Sequence, residues 1–386
     1  MRVLVAHNRY RVEGGEERSV ELQLRALTTA GIDHALYECR SSDAGRPAAA
    51  AALLRGGADP ADLTAAAQAL DADVVHVHNM QPLIGPRGLE AARATGARVI
   101  LHLHNLRLFC AIGVASRDGK PCFRCHHRLT LPGAVLNCRG SLPESAAYAT
   151  ALSLHQPRVL AAVDRFVAPS RYAAGQLAAL GLPAERITVL EHYLPAAAFA
   201  ERSSASEGSY ALVASRLSEE KGIDAAIEAC AVAGVPLKIA GEGPQERELR
   251  AIAADAHGVR RAAIEFLGRV DRTRMTSLLA GAALVLMPSR YHEFSPYAAL
   301  EAAAAGVPVV ATRMGGLPEL LGSACCVEPG DTAALAERVS DLWTNPAERS
   351  REGEALLARA RDAHGDHRFV EALGRLYATV PGHRIG

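Results

Sequence analysis

The sequence predicts an α/β protein built from two doubly wound, Rossmann-like domains in tandem. Three observations carry that expectation. The 386 residues exceed what a single hydrophobic core usually serves. Short apolar, β-branched runs alternate with longer segments rich in Ala, Leu, Arg and Glu, the pattern of strands buried on both faces and each followed by a helix. The polar, small-residue stretch "ERSSASEGS", Glu201 to Ser209, separates two such series and reads as a linker.

In the first series the strand candidates are "RVLVAH", "DVVHVH", "RVILHLH", "RFVAPS" and "ITVLEH". The second series begins after residue 209 with "YALVAS" and continues through "PLKIAG", "IEFLG", "ALVLMP" and "PVVAT". The expected domains are therefore residues 1–200, with a Cys-rich insertion at 105–140, and residues 210–365. The Ala-rich tract Pro47 to Leu54 reads as helix or loop near the surface. After Asp331 only helical patterns remain; they should close the second domain, and a last helix at about 366–386 is expected to pack back on the first.

Composition narrows the partner. Forty-two basic and forty-two acidic side chains leave no net charge, which argues against a dedicated nucleic-acid binder. No run of eighteen apolar residues occurs, and "MRVLVAHN" enters a strand pattern at once; the expectation is a cytoplasmic protein with no membrane span and a small-molecule partner. Its oligomeric state and any peripheral membrane contact are left open.

Ligands of open parallel sheets bind beyond the carboxyl ends of the strands, where loops lead into helix starts. Gly14 and Gly15 in "HNRYRVEGGEERSV" precede a helical segment, allowing close backbone approach and leaving N–H groups for an anion. The plainer reading is an ordinary glycine turn. No G-x-G-x-x-G follows a strand, which weakens a dinucleotide dehydrogenase reading. "VASRLSEEKG" places Arg216 and Lys221 on one exposed loop-to-helix turn: a forked guanidinium and a mobile ammonium suit a diphosphate. Alternatively they are solvated charges paired with Glu219 and Glu220. "AGEGPQ" adds Gly241 and Gly243. In "YHEFSPYAALEAAAAG" the helix should start at about Pro296, with Glu293 beside its N-terminus and Glu301 in its second turn. Two spaced carboxylates beside an anion-binding helix start fit a polyol joined to phosphates, that is, a nucleotide sugar.

At these residues the chain resembles the retaining glycosyltransferases of family 4. The E-x7-E pattern is present as Glu293 and Glu301; "SRLSEEKG" matches the family's G-R-L-x-x-E-K-G with Ser215 for the first Gly; "GGEE" and "GVPVVATRMGGLPEL" fall at the expected places. The resemblance covers nearly the whole chain. It implies the GT-B fold, two Rossmann-like domains facing a central cleft. It also implies that Arg216 and Lys221 hold the donor diphosphate, Glu301 the ribose hydroxyls and Glu293 the transferred sugar. Gly14, Gly15, Gly241, Ser295 and Tyr297 join the donor site, and the loop Gly268 to Val270 meets the base. His104 matches a family histidine that approaches the donor sugar, whereas His76, His78 and His102 fit a strand pattern and read as structural. The sequence departs from the family where Phe294 directly follows the first Glu, and at Pro296, which has no N–H to donate.

Retention in this family implies front-face attack, with the leaving phosphate taking the proton of the acceptor hydroxyl. Catalysis then needs positioning and charge stabilisation, without a protein nucleophile or a metal. The single D-x-D, Asp71 and Asp73, precedes a buried-looking strand and reads as a loop cap. Cys110, Cys122, Cys125 and Cys138 form a C-x11-C-x2-C-x12-C arrangement in a long insertion. A structural zinc, with His126 or His127 as substitute ligands, reduced thiols, and disulfides all remain open from spacing. Cys39, Cys230, Cys325 and Cys326 read as core. The leading expectation is a hexosyltransferase acting from a nucleoside-diphosphate sugar on a hydroxyl of a glycan, glycolipid or small molecule. A GT-B nucleotide-sugar epimerase and a non-catalytic sugar-nucleotide sensor are the alternatives; acceptor glycosylation excludes the first, and donor turnover the second.

Overall fold

A computed structural model describes residues 1–10, 14–260 and 262–379, leaving the side chains of 256–260 outside the description. The chain divides into two compact units. The first holds Met1–Ala115, Cys122–His192 and the residues from Asp366 onward; the second holds Ser116–Pro121 and Tyr193–Gly365. The division falls between His192 and Tyr193, ahead of the expected linker. Glu201 to Ser209 is packed within the second unit, where the Ser203 N–H donates to Glu354 Oε1 at 2.7 Å and its hydroxyl to the Gly306 carbonyl at 2.5 Å. Small polar residues resemble a linker in composition, yet here their side chains are hydrogen-bonded in a packed site.

The sheet of the first unit contains β1 (Arg2–Arg9), β2 (Asp33–Arg40), β3 (Val74–Val77) and β4 (Arg98–His102). A short antiparallel hairpin, β5 (Ser116–Arg117) and β6 (Lys120–Pro121), interrupts the series before β7 (Arg165–Ala168) and β8 (Ile187–Val189) return to the sheet. The parallel order is β2-β1-β3-β4-β7-β8. Central β1 and β3 are continuous apolar runs because helices cover both faces: Val3 to Ala6 and Val74, Val75 and Val77 have no exposed surface. Edge strand β2, "DHALYECR", is half-exposed along its length and has no such run, so the apolar pattern missed it.

The second unit holds β9 (Tyr210–Ala214), β10 (Leu237–Ala240), β11 (Ile264–Gly268), β12 (Ala282–Met287), β13 (Val309–Thr312) and β14 (Cys326–Val327). Their parallel order is β11-β10-β9-β12-β13-β14. Ile227, Leu237, Ile239, Leu284, Leu286 and Val339 meet in its core. Each buried aliphatic side chain contributes roughly 1.5–3 kcal/mol, so the sheet cores carry stability and the loops beyond them can be polar.

The helices Thr332–Thr344 and Pro346–His364 belong to the second unit, whereas Asp366–Thr379 belongs to the first. Phe369, Leu373, Leu376 and Tyr377 form its buried stripe at helical spacing. Residues 380–386 of the expected last helix lie outside the described residues. No helix among the described residues is long and apolar enough to cross a membrane.

Candidate active site

In the second unit the strand order reverses between β9 and β12, and the loops after these two strands carry the predicted donor residues. The loop after β9 ends in a single 3-10 turn, Glu219–Lys221, followed by Gly222 at φ +65°. A Cβ on Gly222 would lie 2.1 Å from the Pro288 carbonyl oxygen, so only glycine lets this loop seat on the one after β12. That close seating brings Lys221 Nζ to 2.7 Å from Glu293 Oε1.

Glu293 is 3% exposed and its carboxylate accepts from three side chains, Lys221 among them. The Ser289 hydroxyl donates to Oε1 at 2.8 Å and the Tyr291 hydroxyl to Oε2 at 2.6 Å. Lys221 also donates to the Tyr291 oxygen at 3.1 Å. Burial alone would lower the lysine pKa, but Glu293 and Tyr291 outweigh it and hold the ammonium above its ordinary value. Burial, reinforced by Glu293, raises Tyr291 and keeps it a proton donor. Lys221 is therefore not on an exposed loop, as its polar surroundings suggested, but is the 17% exposed half of an ion pair with the buried Glu293.

Arg216 differs: its side chain is 59% exposed, pairs with Glu220 and donates from Nε to Ser218 Oγ at 3.3 Å. The expected pairing with the local acids thus holds for Arg216 and not for Lys221. Glu301 lies half-buried in the helix Tyr297–Ala304, whose N-cap is Pro296, with Ser295 and Tyr297 flanking that cap. Gly241, expected at the donor, has φ +143°, and a Cβ there would lie 1.9 Å from the Ser215 carbonyl oxygen. Its glycine is required by the packing of the loops after β9 and β10. The Gly241 N–H donates to the Gly268 carbonyl at 2.8 Å, which fixes the start of the Gly268 to Val270 loop.

The first unit gathers histidines. The sequence separates His104 from His76, His78 and His102, yet the parallel register joins them at the carboxyl ends of β3 and β4, with His192 after β8. The rings of His102 and His104 stack at 4.2 Å, and those of His76 and His78 at 5.0 Å. His78 Nδ1 lies 2.9 Å from His104 Nε2, and its Nε2 lies 2.5 Å from Gln23 Oε1. Gln23 Nε2 in turn reaches His76 Nδ1 at 2.9 Å and the Tyr377 hydroxyl at 2.8 Å. Burial, reinforced by neighbouring rings, holds His78, His102 and His104 well below the usual histidine range, and burial takes His76 to about 3. All four rings are neutral at pH 7.

Gly14 caps the helix Gly15–Thr29, and its N–H donates to Glu17 Oε2 at 2.7 Å. The expected anion position is thus taken by the chain's own carboxylate; residues 11–13 of that loop lie outside the described residues. Sequence reasoning missed Glu16, Asn105 and Arg107, which line a pocket with His104. Asn105 Nδ2 and the Tyr10 hydroxyl donate to Glu16 Oε1 at 2.5 and 3.0 Å, and burial raises the Glu16 pKa. Glu16 stands in "GGEE", and Asn105 and Arg107 in "LHLHNLR", beside the glycines and the histidine that match the family pattern.

Asp71 and Asp73 occupy the turn before β3, at the opposite end of the strands from the histidines. Asp71 pairs with Arg2, and Asp73 accepts the Arg2 N–H at 2.8 Å. Cys110, Cys122, Cys125 and Cys138 are free, half-buried thiols. Burial first, and then the three neighbouring cysteines, push Cys125 up to about 11. Among the described residues, three metal-ligand atoms lie mutually within 4.8 Å only for His76, His78 and His102 and for His102, His104 and His192. Of the cysteines expected in the core, Cys230 and Cys326 are buried while Cys39 and Cys325 are half-buried.

Two doubly wound parallel sheets with donor-type residues at the switch point of the second define a nucleotide-sugar-dependent class of α/β protein. The chain belongs to the family 4-type glycosyltransferases of GT-B architecture. Residues 208–345 match the family model described as glycosyl transferases group 1, and residues 12–191 match the glycosyl transferase 4-like domain. A Mycobacterium tuberculosis glycogen synthase is 37% identical over 50% of this chain and 49% of its own length. A putative colanic acid biosynthesis glycosyltransferase, WcaL of Salmonella typhimurium, is 31% identical over 54% of this chain and 53% of its own. The chain thus matches about half the length of these curated relatives. Among solved structures, sucrose-phosphate synthase of Thermosynechococcus elongatus aligns with TM-score 0.68 at 16% identity, over 98% of both chains. Anabaena HepE in complex with UDP aligns with TM-score 0.66 at 16% identity, over 98% of this chain and 100% of that one.

Proposed function

We propose that the protein transfers a hexose, with retention, from a nucleoside-diphosphate sugar to a hydroxyl of an acceptor in the cytoplasm. The observation that carries this reading is the Lys221–Glu293 pair at the second unit's switch point, beside exposed Arg216 and the start of the helix Tyr297–Ala304. Arg216 and Lys221 stabilise charge on the departing diphosphate, Glu301 accepts from the ribose hydroxyls and Glu293 orients the transferred sugar. The leaving phosphate takes the acceptor's proton, so the transfer needs no metal. His104, held by His78, contacts the donor sugar. Structural neighbours with bound UDP and UDP-glucose support a nucleotide-sugar donor. Relatives named for colanic acid and amylovoran biosynthesis support a growing glycan as acceptor.

The experiment is a thermal-shift screen of nucleoside diphosphates and their sugars, followed by NMR of the product's anomeric centre. A ligand at a hundred times its dissociation constant stabilises by about 2.7 kcal/mol. Transfer with inversion, or donor epimerisation without transfer, would refute the reading.

A further inference from the structure

We propose that His102, His104 and His192 form a binding site for a divalent d-block cation of the zinc class within the first unit. One ring nitrogen from each lies within 4.8 Å of the other two. Zinc binds imidazole at about 2.0–2.1 Å in the plane of the ring, so His102, which no hydrogen bond holds, must turn out of its 4.2 Å stack on His104 for the three nitrogens to meet at one ion. Neutral imidazole selects zinc, copper, nickel or cobalt over magnesium and calcium.

The independent observation is His102 itself. It is 2% exposed, and neither of its ring nitrogens has a hydrogen-bond partner among the described residues. Burying a polar group unpaired is costly, and a cation bound to one of those nitrogens removes that cost there.

Hydrogen bonding also prepares His104 for this role. Gln23 Oε1 only accepts, so His78 carries its proton on Nε2 and accepts through Nδ1. His104 must then donate from Nε2, which leaves the lone pair on its Nδ1. A ligating histidine whose second nitrogen is anchored in this way has its tautomer and ring orientation set before the metal arrives. The same bonds rule against the neighbouring set of His76, His78 and His102. Both nitrogens of His78 are engaged, and His76 Nδ1 lies 2.9 Å from Gln23 Nε2 and 3.0 Å from the Tyr377 hydroxyl.

Because His104 is one of the three ligands, the ion would withdraw it from the donor sugar and inhibit transfer. That consequence rests on the function proposed above; the site itself does not. The test uses the chelator-stripped full chain carrying Cys122→Ser and Cys125→Ser, so that the cysteines do not compete. Cobalt(II) should bind at one equivalent with the intense visible band of a low-symmetry nitrogen site, and zinc should displace it. His192→Asn should weaken binding on the order of tenfold or more, and Gln23→Leu by about 10–100-fold through the lost anchor. Circular dichroism checks that each variant is folded; if His192→Asn is not, His102→Asn replaces it in the same comparison. Absence of the cobalt band, or zinc affinity equal in parent and folded variants, overturns the proposal. Zinc inhibition reversed by chelator is expected in the transferase assay of the wild-type chain. Binding is read in the variant without donor or acceptor, and transfer is read in the wild-type chain; cobalt binding with no sugar transfer by the wild type refutes the proposed function and not the cation site.

Discussion

The carboxyl ends of the two sheets solve the same topological problem with opposite chemistry. In the second unit, loops after β9 and β12 meet where the strand order reverses, and they bury a charge as the Lys221–Glu293 pair. In the first unit the reversal lies between β1 and β3, and the side chains gathered beside it are neutral imidazoles. The difference follows from desolvation. A buried charge persists where a partner and hydrogen bonds compensate it, as at Glu293. Where stacked rings bond to one another and to an amide rather than to a carboxylate, burial removes the proton instead. Topology selects the position, and the partner beside each titratable group selects its charge.

The largest expected effect breaks the charged side of this comparison. Lys221→Met should lower turnover more than tenfold, because it removes charge from the leaving group. It should also destabilise the second unit by roughly 3–5 kcal/mol, since the buried Glu293 loses its partner. The double variant Lys221→Met, Glu293→Gln should recover part of that stability in urea unfolding while remaining inactive. Full turnover of Lys221→Met at saturating donor would remove the diphosphate role. Glu301→Gln should weaken donor binding by about 1.5–3 kcal/mol, through loss of charge-assisted acceptance from ribose hydroxyls; calorimetry showing equal affinity would eliminate that role.

Replacing Cys122 and Cys125 together by Ser should disorder the insertion that follows His104 and depress transfer to the acceptor, while leaving donor affinity largely unchanged, because Arg216, Lys221, Glu293 and Glu301, the residues proposed to hold the donor, lie in the second unit. Zinc analysis of the purified wild type and variant decides whether the four thiols hold a structural metal. One equivalent lost on mutation supports it, and none in the wild type excludes it as purified.

The neutral side gives a pH dependence. His76 has a folded pKa of about 3 against an unfolded value of 6.5, so below pH 6.5 the unfolded chain binds the proton and the folded one does not. Its stabilising contribution is complete above pH 6.5 and falls progressively as pH drops toward 3. Melting temperatures from pH 7.5 to 5 should decline, less steeply in His76→Gln; parallel curves would contradict the assignment. The smallest expected effect concerns metal. EDTA should leave initial transfer rates undiminished, and loss restored by magnesium or manganese would return Asp71 and Asp73 to consideration.

Much of this was legible in the sequence. Continuous apolar runs identified β1, β3, β4 and β9 because a strand covered on both faces has no polar register to show. The E-x7-E spacing placed Glu301 in the second turn of its helix, since the chain between Glu293 and Glu301 is short and local. Half-exposed β2 was not legible: an edge strand needs no apolar run, and its pairing with β1 supplies what its composition does not. The packed stretch from Glu201 to Ser209 was also misread, because its contacts come from Gly306 and Glu354, far along the chain.

By itself, then, the sequence determined the alternation of strands and helices, the two-domain class and the chemical types at the loop ends. These are written in local periodicity and short spacing. Only the tertiary structure decided which of those groups are charged. Lys221 meets Glu293 across 72 residues, and Gln23 meets Tyr377 across 354. Parallel crossovers bring such remote positions to one end of a sheet, and it is burial beside a particular partner, invisible to periodicity, that keeps Lys221 protonated and His104 neutral.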